Sequence, residues 1–131
     1  MRLENNFYTI NNIEQKTDDT FAIEVTILPE HKIYEGHFPQ QPVVPGVCTL
    51  TIIRECIGNI LSKQVSFASI KECKYVSALI PQDDLRIMIN LSITEGTKVN
   101  ATIERVDNQQ TVLKLKANLR GWTRQWHIRK E

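Results

Sequence analysis

Cysteine is scarce in these 131 residues. There are three, Cys48, Cys56 and Cys73, an odd number with no C-x-x-C pair. That number and spacing argue against a disulfide framework and a zinc site, so no metal is expected. Long apolar runs are also missing: none approaches the roughly 20 residues that a membrane span needs. The N-terminal "MRLENNFYTINN" has no apolar core of the kind a secretory signal carries. A reducing, cytoplasmic setting is the expectation, with no membrane span. An excess of one charge is lacking as well. Sixteen Lys and Arg face fifteen Asp and Glu, for a net charge of +1, where a dedicated nucleic-acid binder carries a basic surplus. The exception is local. The last twelve residues hold Arg120, Arg124, Arg129 and Lys130 against Glu131, a segment suited to an acidic partner or to plain solvation. No repeat, low-complexity tract or Gly/Ser linker divides the chain, so one domain over 1–131 is expected.

What is present is a pattern of alternation. Apolar residues make up 41% of the chain, enough for one core. "FAIEVTIL" (21–28) alternates apolar and polar residues and reads as a strand; "FYTINNIEQ" (7–15) is a weaker one. From Val47 to Leu61 the spacing changes. Val47, Leu50, Ile53, Ile57, Ile60 and Leu61 recur every three to four residues, a helical stripe. "VSFASIKECKYVSALI" (65–80) reads as a long strand, and "DLRIMINLSITEG" (84–96) alternates throughout. "TKVNATIERV" follows a turn at Glu95-Gly96, and "QTVLKLKANLRGW" follows one around Asp107-Asn108. Hairpin-linked antiparallel strands with one wet face result. The order β, β, helix, then four strands predicts an α+β fold in which an antiparallel sheet curls around one helix.

The helix is preceded by "GHFPQQPVVPGV" (36–47). Pro39, Pro42 and Pro45 each fix φ and bias the residue before them toward extended geometry, so this loop is stiff. A stiff loop holds a side chain in place at low entropic cost, and His37 is the chemically capable side chain in it. Gly46 stands in the first turn of the helix, where amides lack intrahelical acceptors and the dipole is positive. With no side chain at Gly46, a carbonyl oxygen can reach an amide there, and an enolate-like oxyanion would be stabilised. A lone loop histidine is more often structural than catalytic; the proline frame and the glycine-started helix set His37 apart from His31 and His127, which read as surface residues.

This stretch resembles the signature of the β-hydroxyacyl-acyl-carrier-protein dehydratases, a family of the hotdog fold. The match covers His37, Phe38, Pro39, Pro42, Pro45, Gly46 and Val47. The resemblance implies a curved sheet around a central helix, a dimer with acyl tunnels at its interface, and no cofactor. It implies His37 as the base at the carbon beside the thioester and the Gly46 amide as the holder of the carbonyl. Val47, Phe38 and Pro39 join Gly46 as the substrate-binding candidates. The chain departs from the family in two places. Gln40 replaces a frequent glycine, and Thr51 stands fourteen residues after the His, where the family has Glu or Asp. Threonine is no general acid at neutral pH. Glu55, one turn further along, is the candidate replacement, and its alternative is a pairing with a nearby Lys or Arg. Three functions follow as expectations. The first is a 3-hydroxyacyl-[acyl-carrier-protein] dehydratase acting as a homodimer or higher oligomer in fatty acid or polyene synthesis. The second is one subunit of a heteromeric dehydratase, whose sister hotdog chain supplies the acid. The third is an acyl-thioester binding module or thioesterase-like hotdog.

Overall fold

A computed structural model describes residues 3–29 and 43–120. His37, Phe38 and Pro39 lie outside the described residues, as do Arg124, Arg129 and Lys130. Six strands and one helix follow in the order β1 (Tyr8–Gln15), β2 (Thr20–Ile27), α1 (Gly46–Leu61), β3 (Phe67–Tyr75), β4 (Leu85–Thr94), β5 (Lys98–Arg105) and β6 (Thr111–Leu119). The strands form one sheet in the order β1-β2-β4-β5-β6-β3, with every neighbouring pair antiparallel.

The alternation in the sequence sets the two faces. Ile23, Val25 and Ile27 on β2, Leu85 to Ile93 at every second position on β4, and Leu113, Leu115 and Ala117 on β6 are buried in one core. Lys114 and Lys116 point to the wet side. The turn between β4 and β5 has Glu95 and Gly96 both at positive φ, 54° and 74°, the twist a two-residue hairpin needs.

The helix lies against the sheet's apolar face. Its buried residues are Cys48, Thr49, Ile52, Ile53, Glu55, Cys56 and Ile57. The periodic stripe is thus present but turned. Val47 is 60% exposed, because it lies about 140° around the helix from Ile52. A second difference concerns β3. The alternation through residue 80 suggests one long strand, but the ladder to β6 stops at Tyr75. Beyond it the Val76 amide still donates to the Val112 carbonyl (2.8 Å), and the Leu79 carbonyl accepts from the Val44 amide (2.8 Å). Leu79 is buried in a bend, so its apolar character serves packing rather than a pleat. This bend ties the entry of α1 to the end of β3.

Candidate functional site

The helix starts where the prolines direct it. Pro45 stands before the first turn in extended geometry (φ −62°, ψ 143°), and its carbonyl accepts from the Cys48 amide at 3.0 Å. The amides of Gly46 and Val47 precede any possible intrahelical acceptor. Thr49, 3% exposed, donates its hydroxyl to the Gly46 carbonyl at 2.6 Å.

Beside this helix start lies a cavity of about 470 Å³, lined among others by Val44, Gly46, Thr49, Tyr75, Leu79 and Val112. Tyr75 is the last residue of β3, opposite the buried Leu113, and this register brings it to the helix. Its ring lies directly over Gly46. The Tyr75 atoms Cζ, Oη and Cε1 stand 2.7, 2.8 and 2.9 Å from the place a Cβ on residue 46 would take. Burial pushes the Tyr75 phenol up to about 12, with the Cys73 thiol adding to the rise. Tyr75 is therefore a neutral hydroxyl at physiological pH. Sequence reasoning missed it, because a tyrosine at a strand end carries no signal of what it will cover.

Further along the helix, Thr51 donates its hydroxyl to the Val47 carbonyl at 2.9 Å. Glu55 is 7% exposed and faces the N-terminal segment. Its carboxylate accepts hydrogen bonds from the Leu3 amide (2.9 Å), the Glu4 amide (2.9 Å) and the Tyr8 hydroxyl (2.8 Å). Arg54 adds a looser ion pair at 3.8 Å. A carboxylate offers about four acceptor positions, and these donors take most of them. Burial and the nearby carboxylates push the Tyr8 phenol far above the usual tyrosine range, so it remains a donor. A second hollow of about 560 Å³ borders Arg54, Glu55, Asn59 and Lys63. It opens near the C-terminal end of a 16-residue helix, whose full length is about 24 Å.

The cavity therefore brings together Gly46, Thr49 and Tyr75, leaves Val47 exposed beside it with Thr51 one turn on, and the Glu55 carboxylate stands in a separate network. Among the described residues no three His, Cys, Asp or Glu side chains group as metal ligands, and no helix is long and apolar enough to cross a membrane.

Comparison with known proteins places this geometry. A 3-hydroxyacyl-[acyl-carrier-protein] dehydratase FabZ from Clostridium perfringens is 23% identical over 109 residues, covering 75% of this chain and 78% of that enzyme. The FabZ of Koribacter versatilis is 25% identical over 93 residues, and there the match spans 65% of this chain and 60% of the relative's length. Among solved structures, the dehydratase heterocomplex ApeI:P from Xenorhabdus doucetiae superposes with a TM-score of 0.71 at 22% identity, over 84% of this chain and 95% of that one. A mutant of a hypothetical thioesterase from Streptococcus pneumoniae superposes at 0.60 and 13% identity, over 91% and 92%. These likenesses show the hotdog fold: an antiparallel sheet packed on one central helix. The profile of ApeI-like proteins, described as ApeI dehydratase, matches residues 13–115, and the chain belongs to that family.

Proposed function

We propose that this protein dehydrates 3-hydroxyacyl thioesters carried on an acyl carrier protein, giving trans-2-enoyl thioesters, and that it works beside a second hotdog chain. The observation that carries the reading is the start of α1. A glycine-headed helix, with amides lacking intrahelical acceptors, borders a cavity of mixed polar and apolar lining in a member of a dehydratase family. In the proposed reaction His37 takes a proton from C2. The electron pair moves onto the thioester carbonyl, and the Gly46 amide stabilises the oxyanion. The pair then returns to form the C2–C3 double bond while the 3-hydroxyl leaves and takes up a proton as water.

The source of that last proton distinguishes the versions of the proposal. Glu55 is the single acid on α1, and three hydrogen bonds from Leu3, Glu4 and Tyr8 hold its carboxylate. We assign Glu55 to holding the fold, and we assign the proton to the sister chain. The heterocomplex of the ApeI:P dehydratase supports a partner of this kind. So does the edge of the sheet. β3 closes the described sheet on one side, and exposed Ile70, Tyr75, Val76 and Ile80 lie on it or just after it. Such an edge is a ready surface for a second sheet. A homodimer is the competing arrangement, in which each Thr51 stands where the partner's acid is needed.

Turnover of a 3-hydroxyacyl carrier-protein thioester, followed as enoyl absorbance, tests this. The purified chain alone is expected to be inactive, and the sister hotdog chain to restore turnover. Thr51→Glu is expected to confer activity on the isolated chain. Full activity of the wild-type chain alone, lost in Glu55→Gln without unfolding, would return the acid to Glu55. Acyl binding without dehydration in every combination would make the protein a binding module.

A further inference from the structure

A thioester enolate formed at the start of α1 would bring a negative charge into the cavity there. Among the described residues that line this cavity, none carries a charged side chain, and the polar side chains are the hydroxyls of Thr49, Tyr75 and Ser77. A hydroxyl has one proton to donate. Thr49 donates its own to the Gly46 carbonyl at 2.6 Å, and Ser77 donates its own to the Thr111 carbonyl at 2.8 Å. The lining hydroxyl left for a ligand is the Tyr75 phenol. Burial keeps it protonated at physiological pH, and the residue is half-exposed.

We infer that the Tyr75 phenol is a second donor to the thioester carbonyl oxygen, completing with the Gly46 amide the pair that holds the developing enolate. The inference rests on the reading of Gly46 as the amide that receives that carbonyl. The distances allow one oxygen to meet both donors. A Cβ is two bonds from its own amide nitrogen, about 2.5 Å away. The Tyr75 hydroxyl oxygen stands 2.8 Å from that position on residue 46, so it lies at most about 5.3 Å from the Gly46 nitrogen. An acceptor oxygen sits about 2.9 Å from an amide nitrogen and about 2.7 Å from a hydroxyl oxygen, which together span about 5.6 Å. Tyr75 keeps its proton throughout. Its hydrogen bond strengthens as charge moves from C2 onto the oxygen and relaxes when the C2–C3 double bond forms. The same placement accounts for the glycine. Gly96 is the one glycine at positive φ among the described residues, so backbone strain does not call for glycine at 46; a Cβ there would run into the phenol.

The test is infrared difference spectroscopy on the full chain with hexanoyl-pantetheine, ¹³C-labelled at the thioester carbonyl. This probe has no 3-hydroxyl and cannot be dehydrated. In the wild type the bound carbonyl band is expected to move to lower wavenumber than in water. Tyr75→Phe keeps the ring and removes the donor, and is expected to lose a clear part of that shift. A 3-fluorotyrosine at position 75 is a stronger donor and is expected to deepen it, which a merely structural ring would not do. In the assembled enzyme, Tyr75→Phe is expected to lower kcat about 10²-fold, the range that one oxyanion donor commands, with Tm unchanged. Equal shifts in the wild type and both variants overturn the inference and leave the Gly46 amide as the holder. A bound probe with no shift in any of them overturns the Gly46 reading as well. A shift that follows residue 75 in a protein that never dehydrates keeps the inference for the binding site and removes the dehydration step. Failure of the probe to bind removes the inference together with the acyl-thioester reading.

Discussion

At its Gly46 end, helix α1 meets a cavity and a half-exposed tyrosine, and its first amides have no partner within the helix. At Glu55 the same helix presents a carboxylate whose acceptor positions are taken up by two backbone amides and a phenol. One end keeps bonding capacity in reserve, and the other has used it. A group meant for a ligand must give up little to receive it, whereas a group that holds the fold is costly to disengage, since a buried acceptor or donor left unmatched costs about 1–3 kcal/mol. Residue type alone does not separate these cases. Glu55 is chemically the better acid of the two, yet its carboxylate is taken up by the N-terminal segment, while the Thr51 hydroxyl, among the described residues, bonds only to the Val47 carbonyl of its own helix.

The most severe way to break this comparison is at the loop that leads to the open end. His37→Ala is expected to lower dehydration about 10²-fold or more in the assembled enzyme, with the melting temperature unchanged. Turnover within a few fold of wild type would remove His37 from the chemistry.

The next largest effect belongs to the closed end and is of a different kind. Glu55→Gln replaces one carboxylate oxygen with an amide group that cannot accept from the Leu3 or Glu4 amide. Stability should drop by about 2 kcal/mol, a fall of roughly 5–10 °C in Tm, while activity per folded molecule with the partner present stays near wild type. A lowered rate at unchanged Tm would mean that the two ends are not distinct. Tyr8→Phe is the milder version. It leaves Glu55 its two amides and removes the phenol donor, for a loss of about 1 kcal/mol by denaturant titration. No change in the unfolding midpoint would show that the phenol adds nothing to the anchor.

The smallest effect concerns the surface. Arg120 is exposed, bonded to Ser66, and begins the basic C-terminal segment. If that segment receives an acidic carrier protein, its affinity should fall several-fold between low and physiological salt. Salt-independent carrier binding would exclude electrostatic docking there.

The alternation from Leu85 to Ile93 and from Leu113 to Ala117 was sufficient to place two strands and their buried faces, because side-chain direction in a strand has a period of two and does not depend on distant partners. The helix and its glycine start were equally legible in Pro45-Gly46 and the periodic residues after it. The loop motif pointed to a dehydratase through residue types in a fixed spacing. The end of β3 was not legible, because Leu79 buries in a bend with the same apolar character a strand would show.

The surroundings of Glu55 and Tyr75 belong to the tertiary structure alone. The donors on Glu55 come from residues 47 to 52 positions away, and Tyr75 covers a glycine in an element that β3 follows. Both contacts depend on the strand order β1-β2-β4-β5-β6-β3. Local sequence determines which face of an element is apolar. The order in which elements pair determines which polar group meets which partner, and so whether a carboxylate holds the fold and whether a tyrosine borders the site.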